Sequence, residues 1–237
     1  MKRVLHVGVG PLGQKILNEM NERGLGHVVA AVDASPALAG TFLSVPVPGA
    51  DPKLRILPSL GAVENWDQID CAVVTTSSDL PSCADTFRTL LRQGKAVVST
   101  CEELVYPWLR HIALADELHE LAVRNGGRLL GTGVNPGFLM DALPAFLTCV
   151  SKSVKGVACY RIQDASPRRI PFQKKIGAGL DEAQFSKKVA DGSLRHVGLG
   201  ESLHFIAHYV GLPLERWEAV SYTHLRAHET KANLVCR

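Results

Sequence analysis

Five short apolar runs, each stopped by glycine or small polar residues, constrain this chain more than any other feature. They are 3–9 (RVLHVGV), 27–33 (HVVAAVD), 70–76 (DCAVVTT), 95–99 (KAVVS) and 128–131 (RLLG). The runs are continuous rather than alternating, which suits strands buried on both faces of a parallel sheet. Between them the period changes. Leu12, Ile16 and Met20 recur four residues apart. Residues 79–93 open with Asp-Leu-Pro, a cap and an early proline, and stop at Gly94. Residues 111–125 put Ala115, Leu118 and Ala122 on one face, beside Leu114 and Leu121, and stop at Gly126-Gly127. Strand alternating with helix predicts a doubly wound α/β domain. A helix from Pro136, with Met140, Leu143, Phe146, Leu147 and Val150 on its inner side, is expected to close this domain over 1–150.

From residue 151 the texture differs. Residues 153–163 alternate and read as a partly exposed strand. A basic, loop-like stretch (SPRRIPFQKKIGAG) follows, then helices near 181–190 and 201–210. These form a second domain over 151–220. The last residues, 221–237, show no apolar period and no turn signals, and are expected to be a non-native tail.

Composition excludes some functions. A net charge of +3 over 237 residues argues against nucleic-acid or membrane-surface binding driven by bulk charge. No apolar run approaches the roughly 20 residues of a transmembrane helix. The basic start and short apolar run at the N-terminus end at glycines, so they read as a strand rather than a signal peptide. Cys71, Cys83, Cys101, Cys149, Cys159 and Cys236 lack Cys-x-x-Cys spacing. Reduced, buried cysteines in a cytoplasmic protein are the expectation, with no metal. His204 and His208, four apart, could ligate a metal, but no third ligand accompanies them.

Ligands of an open parallel sheet bind beyond the carboxyl ends of its strands. After the first run comes Gly8-Val9-Gly10-Pro11-Leu12-Gly13. Gly8 permits a tight turn, Gly10 lets the backbone approach a pyrophosphate, and Gly13 lets the helix pack on the strand. The helix N-terminus offers free amides to phosphates. Asp33 ends the next run 20 residues after Gly13, as the ribose-binding acid of a Rossmann-type sheet does. A carboxylate there repels a 2′-phosphate, and Ala34-Ser35-Pro36 supplies no arginine. The expected cofactor is therefore NAD, with NADP possible. Thr75, Thr76 and Ser77, with Ser78, end the run at 70–76. They either pack against the cofactor or form a cap run before Asp79.

The run at 95–99 leads into Ser99-Thr100-Cys101-Glu102-Glu103, which would set two carboxylates near the nicotinamide. Ser99-x-x-Glu102 and Thr100-x-x-Glu103 both fit a capping box. With Thr100 as cap, Glu103 is structural and Glu102 is the catalytic acid; with Ser99 as cap the roles exchange, and the first is favoured because Ser99 then ends the strand. The last run leads into Gly131-Thr132-Gly133-Val134-Asn135-Pro136-Gly137. Its glycines, Gly133 among them, allow close backbone approach, and Asn135 stands at the mouth of the cleft. Asn135 either serves the site or caps its own helix.

Together, Gly8–Gly13, Ser99–Leu104 with Tyr106-Pro107, Gly131–Phe138 with Met140-Asp141, and Pro171–Gly179 resemble the 2,4-diaminopentanoate dehydrogenase family. That family includes the native amine dehydrogenases and is distantly similar to dihydrodipicolinate reductase. The resemblance runs from residue 1 to about 220. It implies NAD(P)-dependent oxidative deamination of an amine, or reductive amination of a ketone with ammonia, in a cytoplasmic homodimer. It implies that a glutamate of the Glu102-Glu103 pair holds the amine nitrogen. Family members are longer, so the resemblance also implies C-terminal truncation and an incomplete α+β second domain for substrate binding or oligomerisation. The dicarboxylate-binding segment of dihydrodipicolinate reductase has no counterpart here, which leaves that imine reductase as the weaker alternative. Arg161, Arg168, Arg169, Lys174 and Lys175 could hold a substrate carboxylate, though a solvated loop suits them better. A module that binds NAD without turnover would need no acid at Glu102-Glu103.

Overall fold

The computed structural model describes residues 1–43, 54–167, 170–191, 193–194, 197–220 and 234–235. The chain divides into two compact units, Met1–Gly133 and Val134–Arg237.

The first unit runs β1 (Arg3–Val7), α1 (Pro11–Glu22), β2 (His27–Val32), β3 (Ile56–Leu57), β4 (Cys71–Val74), α2 (Leu80–Arg92), β5 (Ala96–Ser99), α3 (Ile112–Asn125) and β6 (Arg128–Gly131). The strands form one sheet in the order β3-β2-β1-β4-β5-β6. Every pair is parallel. The chain winds outward from β1 in both directions, so the switch point of this Rossmann-type sheet lies between β1 and β4. All five apolar runs are strands. β3 adds a sixth, but as a two-residue edge it leaves too short a run to read.

The helices form where their caps and apolar faces agree. Asp79 caps α2 by accepting the Ser82 amide at 2.8 Å. Phe87, Leu90 and Leu91 of α2 and Leu118 and Ala122 of α3 pack on Leu5, Val7, Ala72, Val74 and Val97. Each large side chain buried this way contributes about 1.5–3 kcal/mol. α3 ends at Gly126, whose φ of 67° supplies the left-handed cap. On the other face, Leu17 of α1 joins Val4, Val28, Ala31 and Ile56.

Two expectations fail here. Leu12 is exposed, and α1 buries Gly13 and Leu17 instead. The helix is turned so that Gly13 meets the strand, which moves Leu12 about 100° off the buried stripe. Nor is every strand buried on both faces. Val98 and Leu130, paired across β5 and β6, are 37% and 56% exposed. The cluster under α1 does not extend to them.

The second unit holds α4 (Ala142–Leu147), β7 (Ala158–Cys159), α5 (Ile170–Lys175), α6 (Glu182–Ala190), α7 (Leu199–Val210) and β8 (Leu234–Val235). The helix expected from Pro136 begins at Ala142. Gly137, at φ 119°, cannot lie in a helix, and Asp141 takes the cap position. Met140 is buried as expected, but Phe146, Leu147 and Val150 are exposed. The strand expected over 153–163 shrinks to Ala158–Cys159, and Tyr160 and Ile162 are exposed. The basic stretch is not all loop, since α5 lies within it. Arg168 and Arg169 lie outside the described residues. α6 starts where its sequence says, with Asp181 and Gln184 forming a capping box. Of the tail, only Leu234 and Val235 fall within the described residues, and they pair antiparallel with Cys159 and Ala158.

Candidate active site

The glycine turn between β1 and α1 is built as its spacing requires. Gly8 has φ 94°, and a Cβ there would lie 3.0 Å from the Thr75 carbonyl group. A Cβ on Gly13 would lie 1.9 Å from the Gly8 oxygen, so only glycine lets α1 come this close. Around Gly10 the reverse holds, because a Cβ there would meet nothing within 4 Å. Pro11 has no N–H, so the amides that the first turn of α1 leaves for a ligand are those of Leu12 and Gly13. Open backbone at Gly10 above two free amides fits a pyrophosphate.

Two side chains hold this turn, Thr75 and His6, of which His6 was not singled out from the sequence. The Thr75 hydroxyl donates to the Gly8 carbonyl at 2.7 Å. His6 Nε2 lies 3.1 Å from the same oxygen. A carbonyl only accepts, so His6 carries its proton on Nε2. Burial lowers the His6 pKa to about 4, and Nδ1 is buried with no hydrogen-bond partner. The signal for His6 was a lone imidazole inside an apolar run two residues before Gly8.

Asp33 reaches the turn from the end of β2. One carboxylate oxygen accepts the Val9 amide at 2.7 Å, and the other accepts the Ser35 amide at 2.8 Å. The acid therefore stands beside the Gly8–Gly13 turn. At the end of β4 the hydroxyls have separate partners. Thr75 supports the glycine turn, and Ser77 Oγ accepts the amide of the cap residue Asp79 at 3.1 Å. Thr76 is exposed, with its hydroxyl 3.5 Å from Cys83 Sγ.

β5 ends at Ser99, whose Oγ donates to the Val74 carbonyl and accepts the Cys101 amide, both at 3.1 Å. A short 3-10 helix, Glu102–Val105, follows. Neither expected capping box forms. The Thr100 amide continues the sheet by donating to Val74 at 3.1 Å, so no glutamate caps it. The buried Glu103 turns inward instead. Its Oε2 accepts the Leu80 amide at 3.0 Å and His111 Nε2 at 2.9 Å. Glu103 thus serves α2 and His111 rather than Thr100. Glu102 is half-buried on the same turn. β6 backs this turn, since a Cβ on Gly131 would lie 2.6 Å from the Leu104 carbonyl carbon. The close approach required of the glycines is thus seen at Gly131. Gly133 ends the first unit.

Asn135 belongs to the second unit. It is half-buried, and its bond to Pro136 is cis. It does not cap the helix that follows. Asp141 does, accepting the Ala142 amide at 2.6 Å and the Gly137 amide at 2.7 Å. His204 is held by the Gly200 carbonyl at 2.8 Å and packs edge-on to Trp217. His208 packs on Tyr209. Among the described residues, no three His, Cys, Asp or Glu side chains gather as a metal would need. Cys83 and Cys101 are buried free thiols, whereas Cys149 is exposed. No helix of the described residues is long and apolar enough to cross a membrane.

Residues 138–232 match the family described as the 2,4-diaminopentanoate dehydrogenase C-terminal domain. The chain is 28% identical over 214 residues to the 2,4-diaminopentanoate dehydrogenase of Acetoanaerobium sticklandii, covering 90% of this chain and 61% of that one. By sequence it is thus similar to the 2,4-diaminopentanoate dehydrogenases and amine dehydrogenases. An amine dehydrogenase of Streptomyces virginiae is 26% identical over 216 residues, covering 81% of this chain and 59% of that one. The chain thus spans less than two thirds of the length of these relatives. In fold it is similar to the amine dehydrogenase of Mycobacterium smegmatis, with a TM-score of 0.71 at 21% identity, over 93% of this chain and 65% of that one. It is also similar to the WlbA dehydrogenase of Thermus thermophilus, solved with NAD and α-ketoglutarate. There the TM-score is 0.53 at 17% identity, over 98% of this chain and 69% of that one.

Proposed function

We propose that this chain carries the chemistry of an NAD-dependent amine dehydrogenase, interconverting the CH–NH2 group of a primary amine or diamino acid with a carbonyl and ammonia. The observation that carries the reading is the placement of one carboxylate-bearing turn, Glu102–Val105, two strands from the open glycine turn on the same edge of the sheet. Adjacent strands are about 4.8 Å apart, so the two turns sit within about 10 Å of each other.

Gly8, Gly10 and Gly13, with the Leu12 amide, would hold the pyrophosphate, and Asp33 the adenosine ribose. Thr76 and Ser77 line the same edge. Asp33 favours NAD over NADP, because its carboxylate would face a 2′-phosphate. The bound nicotinamide supplies the hydride acceptor or donor. The remaining work falls to the chain. Glu102 holds the positive charge of the substrate ammonium or iminium nitrogen at its carboxylate oxygens. It can then take a proton from the water that releases ammonia. Asn135 offers an amide that can donate to a substrate oxygen or accept from nitrogen. The same reading makes the enzyme a cytoplasmic homodimer.

The test is a screen of NAD+ reduction across primary amines, including 2,4-diaminopentanoate, and diamino acids. Amine-dependent NADH formation is expected. A chain that binds NADH but reduces NAD+ with no amine would be a binding module.

A further inference from the structure

We infer that Asp141 is a positioning residue: its buried carboxylate locks the Asn135-Pro136-Gly137 turn onto the first turn of α7 and so fixes where Asn135 stands. The inference rests on Asn135 being part of the site.

Asp141 is fully buried. Its Oδ2 accepts the Gly137 amide and the Ser202 hydroxyl, both at 2.7 Å, and its Oδ1 accepts the Ala142 amide at 2.6 Å. Ser202 is itself buried in the first turn of α7. A second contact joins the same two pieces. Gly198, the cap of α7 at φ 91°, lies so close to the Pro136 ring that a Cβ would meet Cγ at 2.4 Å. The turn is therefore held on one side by a carboxylate and on the other by a proline seated against a glycine.

A six-residue helix such as α4 needs no carboxylate for a cap, since Ser or Asn serves as well. Burying a charge among neutral donors is costly. What calls for a carboxylate is the number of donors. Two amides and a hydroxyl converge on one side chain, and only an acceptor without hydrogens satisfies all three. Asparagine would present its own N–H groups to one of them. The residue thus matches a demand that the turn creates, because Gly137 at φ 119° cannot pass its amide to a helix.

The test uses Asp141→Asn, Ser202→Ala and Asn135→Ala. Amide exchange at Gly137 should rise on the order of ten-fold in Asp141→Asn and in Ser202→Ala, with the amides of β1, β4 and β5 unchanged. Amine turnover should fall on the order of 100-fold in Asp141→Asn, the scale of a misplaced group, with KM for NAD+ little changed. The double variant Asn135→Ala/Asp141→Asn should be no slower than the worse single variant, because both act through Asn135. Unchanged Gly137 exchange in both Asp141→Asn and Ser202→Ala, or losses that multiply in the double variant, would overturn the inference. If Asp141→Asn does not fold, Ser202→Ala decides by the same exchange readout. Full turnover in Asn135→Ala would instead remove Asn135 from the site, and the role of Asp141 in catalysis with it.

Discussion

The Glu103 carboxylate accepts the backbone N–H of Leu80 at 3.0 Å, and this bond ties the turn after β5 to the first turn of α2. The same oxygen meets His111 Nε2, so a single buried acid holds three pieces of the first unit. Glu103→Gln can keep an oxygen on both donors but loses the carboxylate charge that strengthens these bonds. It should lower stability by on the order of 1–2 kcal/mol in urea denaturation. Glu102→Gln should leave the melting temperature and NADH affinity in place and cut turnover on the order of 100-fold. If Glu103→Gln proves the stable but dead variant, the two roles are exchanged.

Gly10 and Gly13 make opposite predictions from one motif. Gly13→Ala forces a methyl group to within 1.9 Å of the Gly8 oxygen, so α1 must shift. The expected loss is about 3 kcal/mol or more, seen as a fall in melting temperature or as insoluble protein. Gly10→Ala has room and should melt like the parent. Its cost should fall on the cofactor, as NADH binding weaker by on the order of ten-fold, about 1.4 kcal/mol. Equal NADH affinity in Gly10→Ala would place the pyrophosphate elsewhere.

Much of this was legible in the sequence because strand interiors and glycine turns are local. The run RVLHVGVG contains both β1 and the constraint that ends it, and Asp33 follows at the distance one helix and one strand require. What was not legible depends on distant partners. Glu103 fits a local capping box on paper, yet the Thr100 amide belongs to the sheet, and the donors Glu103 meets are 23 and 8 residues away. The start of α4 failed for a related reason. Pro136 reads as a first helical residue, but the backbone at Gly137 excludes a helix, and Asp141 is drawn to Ser202, 61 residues on. The exposed Phe146, Leu147 and Val150 show an apolar pattern without a covering element in the described residues.

Asp33 should set cofactor choice. NADH should bind more tightly than NADPH in fluorescence titration, and Asp33→Ala should narrow the gap on the order of ten-fold. The structure adds a cost, because Asp33 also accepts the Val9 and Ser35 amides, so the variant should weaken NADH binding as well. Equal or tighter NADPH binding by the parent chain would contradict the assignment.

His6 predicts a pH dependence of folding. Its folded pKa is lowered to about 4 by burial, below the value near 6.5 of an unfolded histidine. The unfolded chain therefore binds the extra proton first. Stability from this residue is complete above about pH 6.5, falls as pH drops toward about 4, and levels off below. The full span is on the order of 3 kcal/mol. Urea denaturation of the parent and of His6→Gln, at neutral pH and near pH 5, should show a drop in the parent that is smaller in the variant. Equal drops in the two would assign the effect to other groups.

The most direct measurement is the stoichiometry of turnover. With NAD+ and an amine that supports reaction, NADH and ammonia should appear one for one, and Glu102→Gln should suppress both together while still binding NADH. NADH binding without any amine-dependent ammonia release, or release that is unaffected in Glu102→Gln, would contradict the account of this chain as an amine dehydrogenase working through Glu102.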